Sequence, residues 1–378
     1  MKKLLADRVG LVDASGIRSV FALAAQLADP VNLSIGQPDF DVPEVVKDAA
    51  IKAIRDGDNK YSQTAGDAEL RDKIAARIRR EFGWDEPVVL VSSGVSGGLL
   101  LAFMALVDPG DEVIMPDPYF VMYKHLVSML RGRCVFVDSY PDFRLPVEKI
   151  AQAITERTKM IIVNSPNNPT GVVYTPEELQ SLAEIAAEND VLVLSDEIYD
   201  EFCYDGPFAS VARWHAKTLV LRGFSKSYGM PGWRLGYVAA HASLREVVEE
   251  MAKLQQFTFV CAPTPFQKAA VTALDCDVAS VVEAYRRKRD IVYEGLSEEF
   301  ELVRPAGAFY AFVRSPGPSA TQFVERAIKD NVLVIPGNVF SSRDTHFRIS
   351  YATSDQKLRD GVEVLRQLAR TEQASGDG

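Results

Sequence analysis

A chain of 378 residues with 47% apolar and 25% charged content is too long for one ordinary core and apolar enough to fold without cross-links, so a large domain with a smaller companion is expected. Its formal charge of −10 repels phosphate backbones and anionic headgroups, which excludes nucleic acid and membrane surfaces as expected partners. Four cysteines and four histidines, scattered without ligand spacing, exclude a metal site and a disulfide framework and point to reduced thiols in a cytoplasmic protein.

Taken in chain order, MKKLLADRVG starts basic but meets Asp7 and Arg8 before an apolar core develops, which argues against a secretory signal. A helical patch, SVFALAAQLA, is followed by VNLSIGQPDF; residues 1–45 open no βαβ series and are expected to pack on a smaller domain. Pro87 to Val107 carries no charge, yet its centre, SSGVSGG, predicts a strand, a glycine turn and a helix rather than a membrane span. From about residue 88 to 240 short β-rich runs alternate with helical periods, the mark of βαβ units around a mostly parallel sheet. The strand candidates are VVLVSSG, DEVIMPD, CVFVDS, MIIVNSP, VLVLSDE and TLVLRGF. A helix is expected over 176–189, with Thr175 as N-cap, Pro176 in its first turn, and Glu177 and Glu178 facing the positive end of its dipole.

After residue 280 a charged helix, VVEAYRRKRDIVYEGLSEEF, leads into the shorter strands FYAFV, VLVIPG and HFRISYA. The expected fold class is therefore α/β: a three-layer domain over 46–280 with a mostly parallel sheet, and a smaller α+β domain built from 281–378 and the N-terminal segment. The closing TEQASGDG is polar and is expected to fray.

In an open parallel sheet, ligands bind beyond the carboxyl ends of the strands. There MIIV is followed by NSPNNPTG, VLVL by Ser195-Asp196-Glu197-Ile198-Tyr199, and TLVL by Arg222-Gly223-Phe224-Ser225-Lys226. VVLV runs through a glycine-rich bend straight into a helix, whose free N–H groups would form an anion site. Each feature alone has a plain explanation: a solvated lysine, a capping aspartate, a turn, a bend. Together they offer an anion cradle, a carboxylate, an amide with a phenol, and an amine at one rim, the parts needed to hold a phosphorylated pyridine aldehyde and bond to it.

At this point the chain resembles the pyridoxal-phosphate enzymes of fold type I, class I aminotransferases. The resemblance covers nearly the whole length through SIGQPDF, KYSQTAGDAELR, PGDEV, PDPYFVMY, NSPNNPTG, SDEIY, FSKSYGMPGWRLGY and HFRIS. It implies pyridoxal 5'-phosphate as cofactor, with Lys226 joined to it as a Schiff base and, once freed, acting as the base. Asp196 would pair with the ring nitrogen, and Tyr199 and Asn168 would hydrogen-bond the ring's phenolate oxygen. Phe120 would stack on the ring, with Tyr119 as the alternative. Gly94, Val95, Ser96, Ser225 and Arg234 would cradle the phosphate. Arg348 would take the substrate α-carboxylate beside Gly36; read without the resemblance, it is an outward arginine on an alternating strand between inward Phe347 and Ile349. Tyr61 would reach the phosphate of a neighbouring subunit's cofactor, making the enzyme a homodimer.

The chain departs from some members in having Gly223 where they carry a phosphate-binding serine, and Ser96 where some aspartate-specific members carry a lysine. Arg18, in SGIRSVF, is a further candidate for reading substrate charge. The expected activity is amino transfer from a neutral or aromatic L-amino acid, or aspartate, to a 2-oxo acid such as 2-oxoglutarate. The same residues would serve a lyase eliminating a β- or γ-substituent. A ligand sensor fused to a DNA-binding module would need a basic extension that this sequence does not contain.

Overall fold

The computed structural model describes residues 4–13 and 27–376. Its strands, in chain order, are β1 (Val31–Asn32), β2 (Val88–Ser93), β3 (Glu112–Asp117), β4 (Arg133–Asp138), β5 (Thr158–Asn164), β6 (Leu192–Asp196), β7 (Thr218–Gly223), β8 (Leu235–Ala240), β9 (Tyr310–Arg314), β10 (Val332–Leu333), β11 (Ile335–Pro336) and β12 (His346–Ser350).

Seven of these form one sheet in the order β2-β8-β7-β6-β5-β3-β4. β3, β6, β7 and β8 are buried along their whole length, as strands covered on both faces must be, and so they read as unbroken apolar runs. Successive residues still divide between the faces. Leu192 and Leu194 pack with Leu219, Leu221 and helices Gly94–Leu106 and Arg245–Thr258, while Val193 turns to the opposite layer beside Leu179 and Leu182 of helix Pro176–Glu188. This gives the three layers, α/β/α, expected from the sequence. Pro87 to Val107 becomes β2 and helix Gly94–Leu106, and among the described residues no helix is long and apolar enough to cross a membrane.

The smaller sheet, β11-β12-β9, is antiparallel, and β1 pairs in parallel with β10 so that Val31 lies against Val332. Helices Ala279–Leu296, Ala320–Lys329 and Asp355–Gly376 complete this part around an aromatic core with Phe309, Phe323 and Phe347. Of the helical patch expected at 19–28, residues 19–26 lie outside the described residues, as does Arg18.

Three expectations change. LGYVAA, absent from the strand candidates, is β8, antiparallel between β2 and β7. Arg234 reverses the chain in a left-handed conformation (φ 55°), and the strand starts at the next residue. The charged helix ends at Leu296, so SEEF lies outside it. The closing segment is helical as far as it is described: helix Asp355–Gly376 takes in its first six residues, and 377–378 lie outside the described residues. Thr371 Oγ1 donates to the Gln367 carbonyl one turn earlier at 2.9 Å, and Glu372 pairs with Arg326 at 2.5 Å, the second a contact invisible in a local reading of polar residues. The helix at 176 starts as expected, with a reciprocal cap: the Glu178 N–H donates to Thr175 Oγ1, and the Thr175 N–H to Glu178 Oε2.

At the end of β6 the pleat separates two neighbouring acids. Glu197 turns into a buried charge network, where it accepts from Arg222 Nε at 2.8 Å and from the hydroxyls of Ser195 and Ser210, and Arg222 clasps Glu81 with both Nη atoms. The surrounding carboxylates hold that guanidinium firmly charged. Asp196 turns the other way, into a cavity.

Candidate active site

The cavity, about 570 Å³, opens where the ends of β5, β6 and β7 meet the start of helix Gly94–Leu106 and the inner face of β12. Every expected site residue among the described ones, Tyr61 excepted, lines it: Gly36, Gly94, Val95, Ser96, Phe120, Asn168, Asp196, Tyr199, Ser225, Lys226, Arg234 and Arg348. Tyr61 lies off the cavity of its own chain and is 82% exposed. Phe120 rather than Tyr119 faces in, because the Tyr119 ring stacks on Phe136 at 4.7 Å behind the site.

Lys226 follows β7 by three residues. Its Nζ donates to the Gly36 carbonyl at 2.5 Å and stands 5.8 Å from the centre of the Tyr199 ring. Desolvation, helped by Arg348 and Arg234, pushes the amine down to about 8, against the opposing pull of Asp196. Burial pushes the Asp196 carboxyl up to about 6, opposed by a 2.7 Å hydrogen bond from the Tyr123 hydroxyl, by the Ile198 N–H and by Lys226.

At one end of the cavity lies an anion cradle. Gly94 has φ 67°, and no side chain caps the helix that starts there, so its first N–H groups are free for a ligand. A Cβ on Gly94 would stand 2.8 Å from Arg234 Nη2, and one on Gly236 would meet the Gly94–Val95 backbone at 2.7 Å. Arg234 is anchored by a 2.9 Å hydrogen bond to the Pro231 carbonyl. At Gly223 a Cβ would crowd Ile198, Val95 and the Leu235 carbonyl at 3.0–3.3 Å. Packing therefore disfavours a serine there.

At the other end Arg348 is 1% exposed. Phe347 and Ile349 do point into the small core, but the opposite face of β12 meets the cavity, not solvent, and this overturns the outward reading of the strand pattern. Arg348 Nη1 donates to Asn168 Oδ1 and Nη2 to the Ser34 carbonyl, both at 2.9 Å, while Nε has no partner among the described residues. A buried donor without a partner is costly unless a ligand supplies one.

Three residues of the site escaped the sequence reading. Tyr123 sits early in helix Val121–Met129, where a lone aromatic reads as core. Tyr310, at the start of β9, reads as one more ring in FYAF. Asn164 was visible at the end of its strand but received no role; it accepts from the Asn168 N–H and donates to the Asp196 carbonyl, both at 2.9 Å. Among the described residues no His/Cys/Asp/Glu group could hold a metal ion.

The family model described as aminotransferase class I and II matches residues 28–365. The aspartate/prephenate aminotransferase of Thermus thermophilus is 40% identical over 96% of this chain and 98% of its own length. The aromatic-amino-acid aminotransferase 2 of Thermococcus litoralis is 35% identical over 97% and 98%. Among solved structures, the aspartate aminotransferase from Thermus thermophilus with maleate superposes with a TM-score of 0.93 at 38% identity, covering 97% of this chain and all of that one. A lysine, a carboxylate and an arginine converging on one cavity, with relatives matched along their whole length, lead to one conclusion: this chain belongs to the class I and II aminotransferases.

Proposed function

We propose that the protein transfers the amino group of an L-amino acid to a 2-oxo acid, with 2-oxoglutarate as acceptor and pyridoxal 5'-phosphate as cofactor. The observation that carries this is the meeting of Lys226, Asp196 and Arg348 around a single cavity with an anion cradle at its far end. The residues present fit the cofactor: a Cβ at residue 94 would crowd Arg234 Nη2 in the cradle, and its φ of 67° favours glycine, and the buried acid and the depressed amine lie in the same cavity.

When bound, pyridoxal phosphate supplies a carbonyl that joins to an amine and a ring that takes up the electron pair left at Cα. Gly94, Val95, Ser96, Ser225 and Arg234 would hold its phosphate, and Asp196 its ring nitrogen. Tyr199 and Asn168 would hold its phenolic oxygen, and Phe120 its ring face. Lys226 would be the amine that joins the cofactor and, once free, the base that carries the Cα proton. Arg348 orients both substrates by the carboxylate they share, beside Gly36.

The apolar lining residues outside the cradle, Ile35, Leu99, Ile198 and Pro231, support neutral or aromatic donors; the relatives named for aspartate keep it among the candidates. Those names do not favour elimination as the reaction. The same proposal makes the enzyme a cytoplasmic homodimer, in which the exposed Tyr61 of one copy serves the cradle of the other; exposed Phe257, Phe259 and Val260 support such an interface. It also divides the chain into a cofactor-binding body over 46–280 and a smaller one from 1–45 and 281–378, supported by the pairing of β1 with β10.

A panel of amino donors with 2-oxoglutarate tests the activity. Glutamate should appear in step with a new 2-oxo acid; ammonia and pyruvate released without any acceptor would defeat the proposal. Tyr123→Phe tests the acid's environment. Protonation of Asp196 weakens its hold on a ring nitrogen, so cofactor affinity should fall off below about pH 6 in the wild type. Removing a hydrogen bond to a charged group raises that carboxyl, and the fall-off should move up by about one unit. Absorbance titrations with pyridoxal phosphate across pH 5–8 measure it; an unmoved midpoint would detach Tyr123 from the acid.

A further inference from the structure

Tyr310 touches both ends of the substrate site without having been assigned to either. It is buried at the start of β9, opposite Ser350 of β12. On that pair of strands Arg348 faces Phe312, so Tyr310 is its diagonal neighbour on the same face, within reach of a ring. The Arg348 guanidinium carbon lies 4.4 Å from the centre of the Tyr310 ring and 4.6 Å from that of Phe340, so the cation sits against two aromatic faces. The other end of the same side chain is engaged differently: its hydroxyl lies 2.9 Å from the Tyr199 hydroxyl. Gly36 is shaped around it, since a Cβ there would stand 2.5 Å from the Tyr310 oxygen.

We propose that Tyr310 is a positioning residue that joins the two halves of the site: its ring face holds Arg348 in place for the carboxylate, and its hydroxyl orients the Tyr199 phenol toward the cofactor. This rests on the pyridoxal-phosphate reading above. Between two phenols only one proton can lie in the hydrogen bond. If Tyr199 is to point its own proton at the ring's phenolic oxygen, Tyr310 must be the donor to Tyr199. A donor of this kind polarises the next hydrogen bond in the chain and strengthens it. The guanidinium against the Tyr310 ring favours that direction, because a nearby positive charge makes the hydroxyl a better donor. The two functions reside in separable parts of one side chain, the oxygen and the ring.

Two variants separate them. Tyr310→Phe keeps the ring and removes the oxygen. Stabilisation of the phenolate at the bound cofactor weakens, so the pH at which its absorption changes should rise by about half a unit to one unit, with KM for 2-oxoglutarate within about twofold of wild type. Tyr310→Leu removes the ring as well, and KM for 2-oxoglutarate should rise about threefold to thirtyfold on top of the same absorption shift. Thermal melting of both variants is recorded alongside. A fall in melting temperature with absorption midpoint and KM unmoved would make Tyr310 a packing residue only and overturn the proposal. So would a Tyr310→Phe variant whose KM rises as far as that of Tyr310→Leu, since the oxygen would then serve the carboxylate. A wild type that takes up no pyridoxal phosphate would instead bring down the functional reading itself, and this inference with it.

Discussion

Lys226→Ala is expected to leave a folded protein with transfer reduced by roughly 10⁴-fold or more, because one substitution removes both the covalent anchor and the proton carrier. The side chain has no replacement within reach: the other cations among the described lining residues, Arg234 and Arg348, carry guanidiniums and not a primary amine that could join an aldehyde. A readout independent of turnover is available. Borohydride treatment followed by mass spectrometry should add the cofactor's mass to the wild type and nothing to the variant. The environment of the amine also predicts its pH behaviour. Burial and two neighbouring cations depress it to about 8, below its ordinary 10.5, so the neutral form that attacks a carbonyl grows as pH rises from 7 and saturates above about 9. The rate at which cofactor-free protein takes up pyridoxal phosphate should follow that curve. A variant that kept transfer, or an uptake rate falling over this range, would remove Lys226 from the centre of the chemistry.

The second large effect is expected at Arg348. Arg348→Lys should raise KM for amino and 2-oxo acids alike by roughly thirtyfold, about 2 kcal/mol, with kcat changed far less. Both substrates carry the same carboxylate, and a guanidinium presents planar, paired donors to it where an ammonium is a point charge. The structure gives this arginine additional duties that lysine cannot divide: Nη1 engages Asn168, Nη2 engages the Ser34 carbonyl, and the plane lies between the rings of Tyr310 and Phe340. Steady-state kinetics on both half-reactions measures the effect. A KM raised for only one of the two substrates would show that Arg348 reads something other than the shared carboxylate.

How much of this was legible beforehand depends on the range of the interactions involved. Lys226, Asp196, Tyr199 and Asn168 all sit within a few residues of the end of an apolar run, and a buried parallel strand announces its own end by the change from apolar to polar residues. The Thr175 cap was legible for the same reason, since both of its partners lie within four residues. Arg348 was legible only through the resemblance: its strand alternates cleanly, and alternation cannot say whether the second face meets water or a cavity. Phe120 was favoured with Tyr119 kept as the alternative, and what separates them is Phe136, which belongs to the neighbouring strand. The helical close of the chain was missed because it leans on Arg326, some 46 positions earlier (372 − 326).

The sequence by itself determined the α/β class, the order of the strand ends and the chemical identity of the groups placed on them, because hydrophobic period and turn chemistry are local properties of the chain. Only the tertiary structure decided which way the groups face: Asp196 into the cavity and Glu197 away from it, Arg348 between two rings, Tyr123 onto the acid, Tyr310 across both halves of the site. These directions are set by packing between segments far apart in sequence, and burial then shifts the amine down and the acid up, effects with no signature in a run of letters.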